Sequence, residues 1–135
     1  MSDVLQKMET RRSIRKFKGD MVPQEIMDKI IEAGLYAASG HGEQNTIMIQ
    51  VTNKELRDKI SQLNCQIGGW KEGFDPFYGA PAMIIVLAKK SWPNRFMMAV
   101  WLWEILCWPP MSWALAAAGF TELRKNLKWI GARSY

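Results

Sequence analysis

Residues 23–51 read PQEIMDKIIEAGLYAASGHGEQNTIMIQV, and the change of period inside this stretch decides the fold class. Pro23 suits the opening of a helix, because its fixed φ is already helical and its missing N–H would have no partner there. Ile26, Ile30 and Leu35, with Met27 and Ile31 beside them, recur at helical spacing and predict one apolar stripe over residues 23–38. The small residues Ala37-Ala38-Ser39-Gly40, followed by His41 and Gly42, break that period and predict a loop. Thr46 to Val51, TIMIQV, is rich in β-branched side chains and alternates, which predicts a strand.

Working outward, Thr52-x-x-Glu55 is a capping-box pattern that opens a helix with Leu56, Ile60 and Leu63 on one face. Gly68-Gly69 and Gly73 mark a loop. Ala82 to Ala88, AMIIVLA, is an unbroken apolar run between Pro81 and Lys89, as expected of a strand covered on both faces. On the N-terminal side, Asp3 is placed to cap a short helix carrying Val4, Leu5 and Met8 on one face. Helix, helix, strand, helix, strand is an α/β or α+β opening.

The chain has 135 residues, of which 48% are hydrophobic, enough for one domain with its own core. Its net charge of +5 suits an anionic ligand without requiring nucleic acid. Cys65, Cys107 and the single histidine, His41, assemble neither a zinc-ligand cluster nor a disulfide framework. The N-terminus, MSDVLQKMETRR, carries charge from its third residue and no apolar h-region, so the expected setting is the reducing cytoplasm.

Two segments carry recognisable chemistry. In RRSIRKFK, residues 11–18, five of eight side chains are basic. That is either a solvated surface segment or an anion site, since a guanidinium binds phosphate through two parallel hydrogen bonds and Ser13 adds a hydroxyl donor. In an extended segment Ser13, Arg15 and Phe17 fall on one side. Phe17 is the one aromatic nearby for base stacking, which weakens a nucleic-acid reading. The loop over residues 37–44 is either a plain helix end or a ledge whose small side chains let a flat ligand approach the backbone. His41 reads as a loop surface residue.

Arg11-Arg12-Ser13-x-Arg15-x-Phe17, Pro23 opening a helix that ends in Ala37-Ala38-Ser39-Gly40, and Phe77-Tyr78-Gly79-Ala80-Pro81 leading into AMIIVLA together resemble the flavin-dependent nitroreductase family over about residues 4–95. The resemblance implies an α+β fold, a mixed sheet flanked by helices, incomplete in this chain. It implies FMN as cofactor, with Arg11, Arg12, Ser13 and Arg15 at the phosphate and ribityl chain and Ser39, Gly40 and Gln44 near the isoalloxazine ring. It further implies NADH or NADPH as electron donor, a small nitroaromatic or quinone-like molecule as acceptor, and a homodimer with FMN between subunits. No catalytic side chain is then required, because the flavin carries the hydride. The loop departs from the family's commoner pattern, with Gly42 where asparagine is usual and Asn45 where proline is usual.

From Phe96 onward the resemblance stops. Residues 96–135 hold five of the chain's seven tryptophans. The stretch FMMAVWLWEILCWPPMSWALAAAGF, residues 96–120, has the apolar look of a membrane anchor, which makes a small membrane-associated protein the alternative function. Glu104 and Pro109-Pro110 oppose a span, and Trp101, Trp103, Trp108 and Trp113 share no helical face. The genetic code offers a third reading. Met and Trp have one codon each, so shifting the frame one base upstream forces aspartate at Met98, glycine at Ala99, glycine at Glu104, leucine at Trp108, alanine at Pro109 and glycine at Ala114. It also permits isoleucine-glycine-serine-cysteine-tryptophan over residues 115–119, and the whole resembles the family's central helix and following strand. The expectation is a partial nitroreductase-like domain over residues 1–95 and an out-of-frame tail over residues 96–135, truncated and inactive as it stands.

Overall fold

The computed structural model describes residues 3–107. In chain order they form α1 (Asp3–Thr10), α2 (Gln24–Leu35), a short 3-10 turn at Gly40–Gly42, β1 (Thr46–Val51), α3 (Lys54–Gly68), β2 (Met83–Ala88) and α4 (Arg95–Leu106).

Pro23 stands just ahead of α2, where its carbonyl accepts the amides of Ile26 at 3.0 Å and Met27 at 3.1 Å. The buried residues of α2 are Met27, Ile30 and Gly34, while Leu35 is 56% exposed. The helix therefore ends before residue 38, and its inward stripe is rotated from the expected one. Gly34 explains the rotation: a Cβ there would lie 2.7 Å from Met48 Sδ and 2.8 Å from Leu106 Cδ2. Its bare backbone lets α2 settle against β1 and α4 together.

β1 spans the expected residues and pairs antiparallel with β2, Thr46 opposite Ala88 and Val51 opposite Met83. Among the described residues the sheet has these two strands, so the parallel pairing that a mixed sheet requires is not among them. Met48, Ile84 and Val86 pack on the helical core, and Ile47 and Ile49 are exposed. β2 is half-buried throughout instead of covered on both faces, as befits an antiparallel pair with one face against helices.

α3 is capped by Asn53, one residue after the expected Thr52; its side chain accepts the Leu56 amide at 2.8 Å. The buried face of α3 is Arg57, Ile60, Ser61, Asn64 and Cys65, and Leu56 is exposed. In α1, Asp3 is the first helical residue instead of the cap, and Val4, Leu5 and Met8 share a face but stand exposed.

The largest departure is α4. Met98, Leu102 and Leu106, spaced four apart, turn inward, and Leu102 and Leu106 join Met27 and Ile30 in one core cluster. The tryptophans do not define the face; the residues between them do. The core thus extends past residue 95, and α4 covers α2 and the sheet. Among the described residues no helix is long and apolar enough to cross a membrane. The inward side chains of residues 96–107 are packed on protein, so the membrane alternative gains no support there; the remainder of that segment, residues 108–120, lies outside the described residues.

Candidate functional site

The first candidate group follows α1 directly. Residues 11–18 run without helix or strand pairing, with Arg12, Ser13, Ile14, Arg15 and Lys16 exposed and Arg11 and Phe17 half-buried. Arg12 turns back: its Nη1 donates to the Glu9 carbonyl at 2.9 Å and to the Arg11 carbonyl at 2.8 Å. It neutralises the negative end of α1, a task that pulls its guanidinium from any outward ligand. Ser13 and Arg15 remain on the open side. The segment is tied to the rest of the chain where the Phe17 amide donates to the Tyr78 carbonyl at 3.4 Å.

The second group is the loop after α2. Ser39 Oγ accepts the Gln44 amide at 2.9 Å and closes the turn, while the Gly40 amide donates to Met98 Sδ at 3.3 Å. His41 and Gln44 both adopt positive φ, 57° and 45°, which non-glycine residues reach only at a cost of about 1–3 kcal/mol each. Nothing lies within 4 Å of where a Cβ would stand on Gly40. The loop is therefore an open ledge, beside a cavity of about 70 Å³ lined by Gly34, Ala37, Ala38, Ser39, Met48 and Met98. A bound ligand ordinarily needs at least ~300 Å³, so this cavity does not by itself enclose one.

Gly40 contacts Met98 near the start of α4, and the charge of Arg11 reaches the Cys107 thiol just past its end. Burial pushes the Cys107 thiol up to about 11, Glu104 adds to the rise, and Arg11 opposes it. Cys107 is accordingly a thiol at neutral pH and no nucleophile. Among the described residues no group of three His, Cys, Asp or Glu side chains is placed to hold a metal.

A third, charged group was hidden from sequence reasoning. The Asp75 carboxylate accepts from Ser61 Oγ at 2.7 Å, from the amides of Phe77 at 3.0 Å and Gly79 at 2.7 Å, and from Arg57 Nη2. Arg57, 8% exposed, also donates through Nε to the Ala80 carbonyl at 2.9 Å. Burial works to raise the Asp75 pKa, but the hydrogen bonds from Arg57, Ser61, Gly79 and Phe77 outweigh it and hold the carboxyl below its usual range. A depressed carboxylate contributes stability at neutral pH that is lost as pH falls through its folded pKa. Resistance to urea should therefore decline below about pH 4, and Asp75→Asn should flatten that decline while lowering the value at pH 7. An unchanged slope in the variant would show that Asp75 does not govern it.

Residues 8–67 match the family described as the Nitroreductase family. An NADH dehydrogenase/NAD(P)H nitroreductase of Methanothermobacter thermautotrophicus is 40% identical over 62 residues, 46% of this chain and 32% of the relative. The FMN reductase (NAD(P)H) of Bacillus subtilis is 40% identical over 63 residues, 47% of this chain and 25% of that protein. The matched segment thus spans about a third or less of these relatives' length. A nitroreductase with bound FMN from Desulfitobacterium hafniense superposes with a TM-score of 0.81 at 26% identity, covering 95% of this chain and 77% of that one. One from Bacteroides fragilis, also with bound FMN, gives 0.85 at 23% identity, covering 96% and 75%.

Proposed function

We propose, on the match of residues 8–67 to the Nitroreductase family, that this chain is the FMN-binding part of a cytoplasmic NAD(P)H-dependent oxidoreductase that passes hydride to a small nitroaromatic or quinone-like acceptor. The observation that carries this reading is the exposed extended segment holding Ser13 and Arg15 on its open side, within the matched residues. Its donors suit a phosphate, and the ledge at Ser39, Gly40 and Gln44 suits a flat ring. FMN, when bound, supplies the hydride chemistry. The chain's own residues bind and orient: Arg11, Ser13 and Arg15 take the phosphate and ribityl end, Arg12 fixes the segment to α1, and the Ser39–Gln44 turn presents its backbone to the ring.

The small volume beside the loop supports a site shared between two copies, with the phosphate end on one and the ring ledge on the other. The exposed apolar side chains of α1 and β1 are the kind of surface a partner copy covers.

We also read residues 96–135 as translated one base out of register from a point near Arg95. The outward side of α4 supports this, because Phe96, Met97, Val100 and Trp101 give it apolar side chains on the solvent face as well as the core face. Resequencing the gene through the codons of Arg95 to Met98 tests the reading directly, and an intact frame there rules it out.

In a frame-restored protein, Arg11→Ala or Arg15→Ala should weaken FMN binding by about 1.5–3 kcal/mol, the worth of a hydrogen bond to a charged group. Arg12→Ala should cost less, since its guanidinium serves the end of α1. Fluorescence titration of FMN checks the order. Equal losses at all three positions would overturn the division of roles.

A further inference from the structure

We propose that Asp75, held by Arg57 and Ser61, is a positioning residue for the basic segment 11–18: its carboxylate folds the turn over residues 75–80, and that turn supplies the carbonyl on which the segment docks. The inference rests on the flavin reading only for the purpose that the docking serves. The docking itself stands on the geometry of this chain.

The turn gathers its hydrogen bonds at one acid. Asp75 accepts from both Phe77 and Gly79, and the Tyr78 amide donates to the Asp75 carbonyl at 3.0 Å. Tyr78 at φ 54° and Gly79 at φ 77° are both left-handed. A tyrosine adopts that conformation only where its surroundings over-determine it. The carboxylate provides this by satisfying two amides that the turn would otherwise leave without backbone partners. Arg57 then anchors the acid from beneath, with its guanidinium 5.7 Å from the centre of the Phe77 ring and its Nε on the Ala80 carbonyl. The fork of one buried arginine thus grips both ends of the turn.

On the outer side of this turn, the Tyr78 carbonyl receives the Phe17 amide. Phe17 is two residues from Arg15, so the rotation of Tyr78 sets where Arg15 begins. A slack turn leaves the arginines mobile, and a ligand must then order them at its own expense. Ser61 makes the arrangement specific to an acid of this length, because its hydroxyl reaches Oδ1 while Arg57 and Gly79 share Oδ2.

The test is amide hydrogen exchange on the full 135-residue chain and on its Asp75→Ala, Asp75→Asn and Ser61→Ala variants. Asp75→Ala should speed exchange at Phe17 at least tenfold, with strand amides over residues 46–51 and 83–88 unchanged. Asp75→Asn and Ser61→Ala, which each keep part of the network, should give smaller increases at the same amide. Equal acceleration of strand amides and Phe17 would show a merely structural role and overturn the proposal. So would faster exchange confined to residues 75–80. Should Asp75→Ala fail to fold, the two milder variants decide by the same comparison. FMN titration of the frame-restored protein alongside tests the flavin reading separately: an absence of binding there counts against that reading and leaves the exchange result standing.

Discussion

Expressed as its 135 residues stand, the protein should leave a desalting column without flavin, whereas the frame-restored form should retain close to one FMN per chain. The expectation follows from the proposed division of the site. On that proposal the phosphate donors and the ring ledge for each flavin come from two copies, and an unmatched tail does not build the contact between them. Losing the ring half of the site removes two or more hydrogen bonds worth about 1 kcal/mol each, together with the apolar cover of the ring. A combined loss of ~4 kcal/mol raises Kd about a thousandfold, enough to empty the site at micromolar concentration. Absorbance near 450 nm after desalting reads the outcome. Flavin bound at near one per chain by the unaltered protein would show that the short form is functional and that the tail is read in its proper frame.

The second large effect concerns folding. Leu102→Ala should destabilise the unaltered chain by about 3 kcal/mol, within the range for emptying a core leucine site. Leu102 is 5% exposed and belongs to the cluster with Met27, Ile30 and Leu106, so the vacancy opens between α2 and α4 with Ile84 and Val86 beneath it. In a domain of this size such a loss lowers Tm by roughly 10–20 °C. The control is Trp101→Ala, whose side chain lies on the solvent side and should shift Tm little. Equal and small shifts at both positions would show that α4 does not hold the core in solution.

What the sequence disclosed depended on whether hydrophobicity carried the message. TIMIQV announced β1 to the residue, because β-branching and period two coincide there. Met27 and Ile30 were visible as core, but the inward role of Gly34 was not, since a glycine buries by permitting contact and offers no apolar side chain. α3 was found and its face misread: Arg57, Ser61 and Asn64 point inward, and a hydrophobic periodicity is blind to a polar buried face. Asp75, the partner of two of these, lies 18 residues from Arg57, and no local spacing links them. The basic segment stood out in the sequence because its charge resides in residue type. The withdrawal of Arg12 from it depends on where α1 ends, which only the folded chain shows. α4 defeated the reading for the opposite reason, since apolar residues all round leave no stripe to follow.

The pairing of β1 with β2 also bears on how this chain comes off the ribosome. The strands are antiparallel neighbours, yet residues 52–82 separate Val51 from Met83, so they do not form as a hairpin. Closing a loop of that length costs about 3 kcal/mol before the first rung of the ladder repays it. β1 must therefore wait through the synthesis of α3 and the Asp75 turn, with Ile47 and Ile49 and an open strand edge facing solvent for seconds at ordinary elongation rates. α3, capped by Asn53 and closed by Gly69, forms locally during that interval and draws the two strands' ends together. A nascent β1 is thus left with an unpaired edge until β2 emerges, and what shortens that exposure is the speed with which α3 folds.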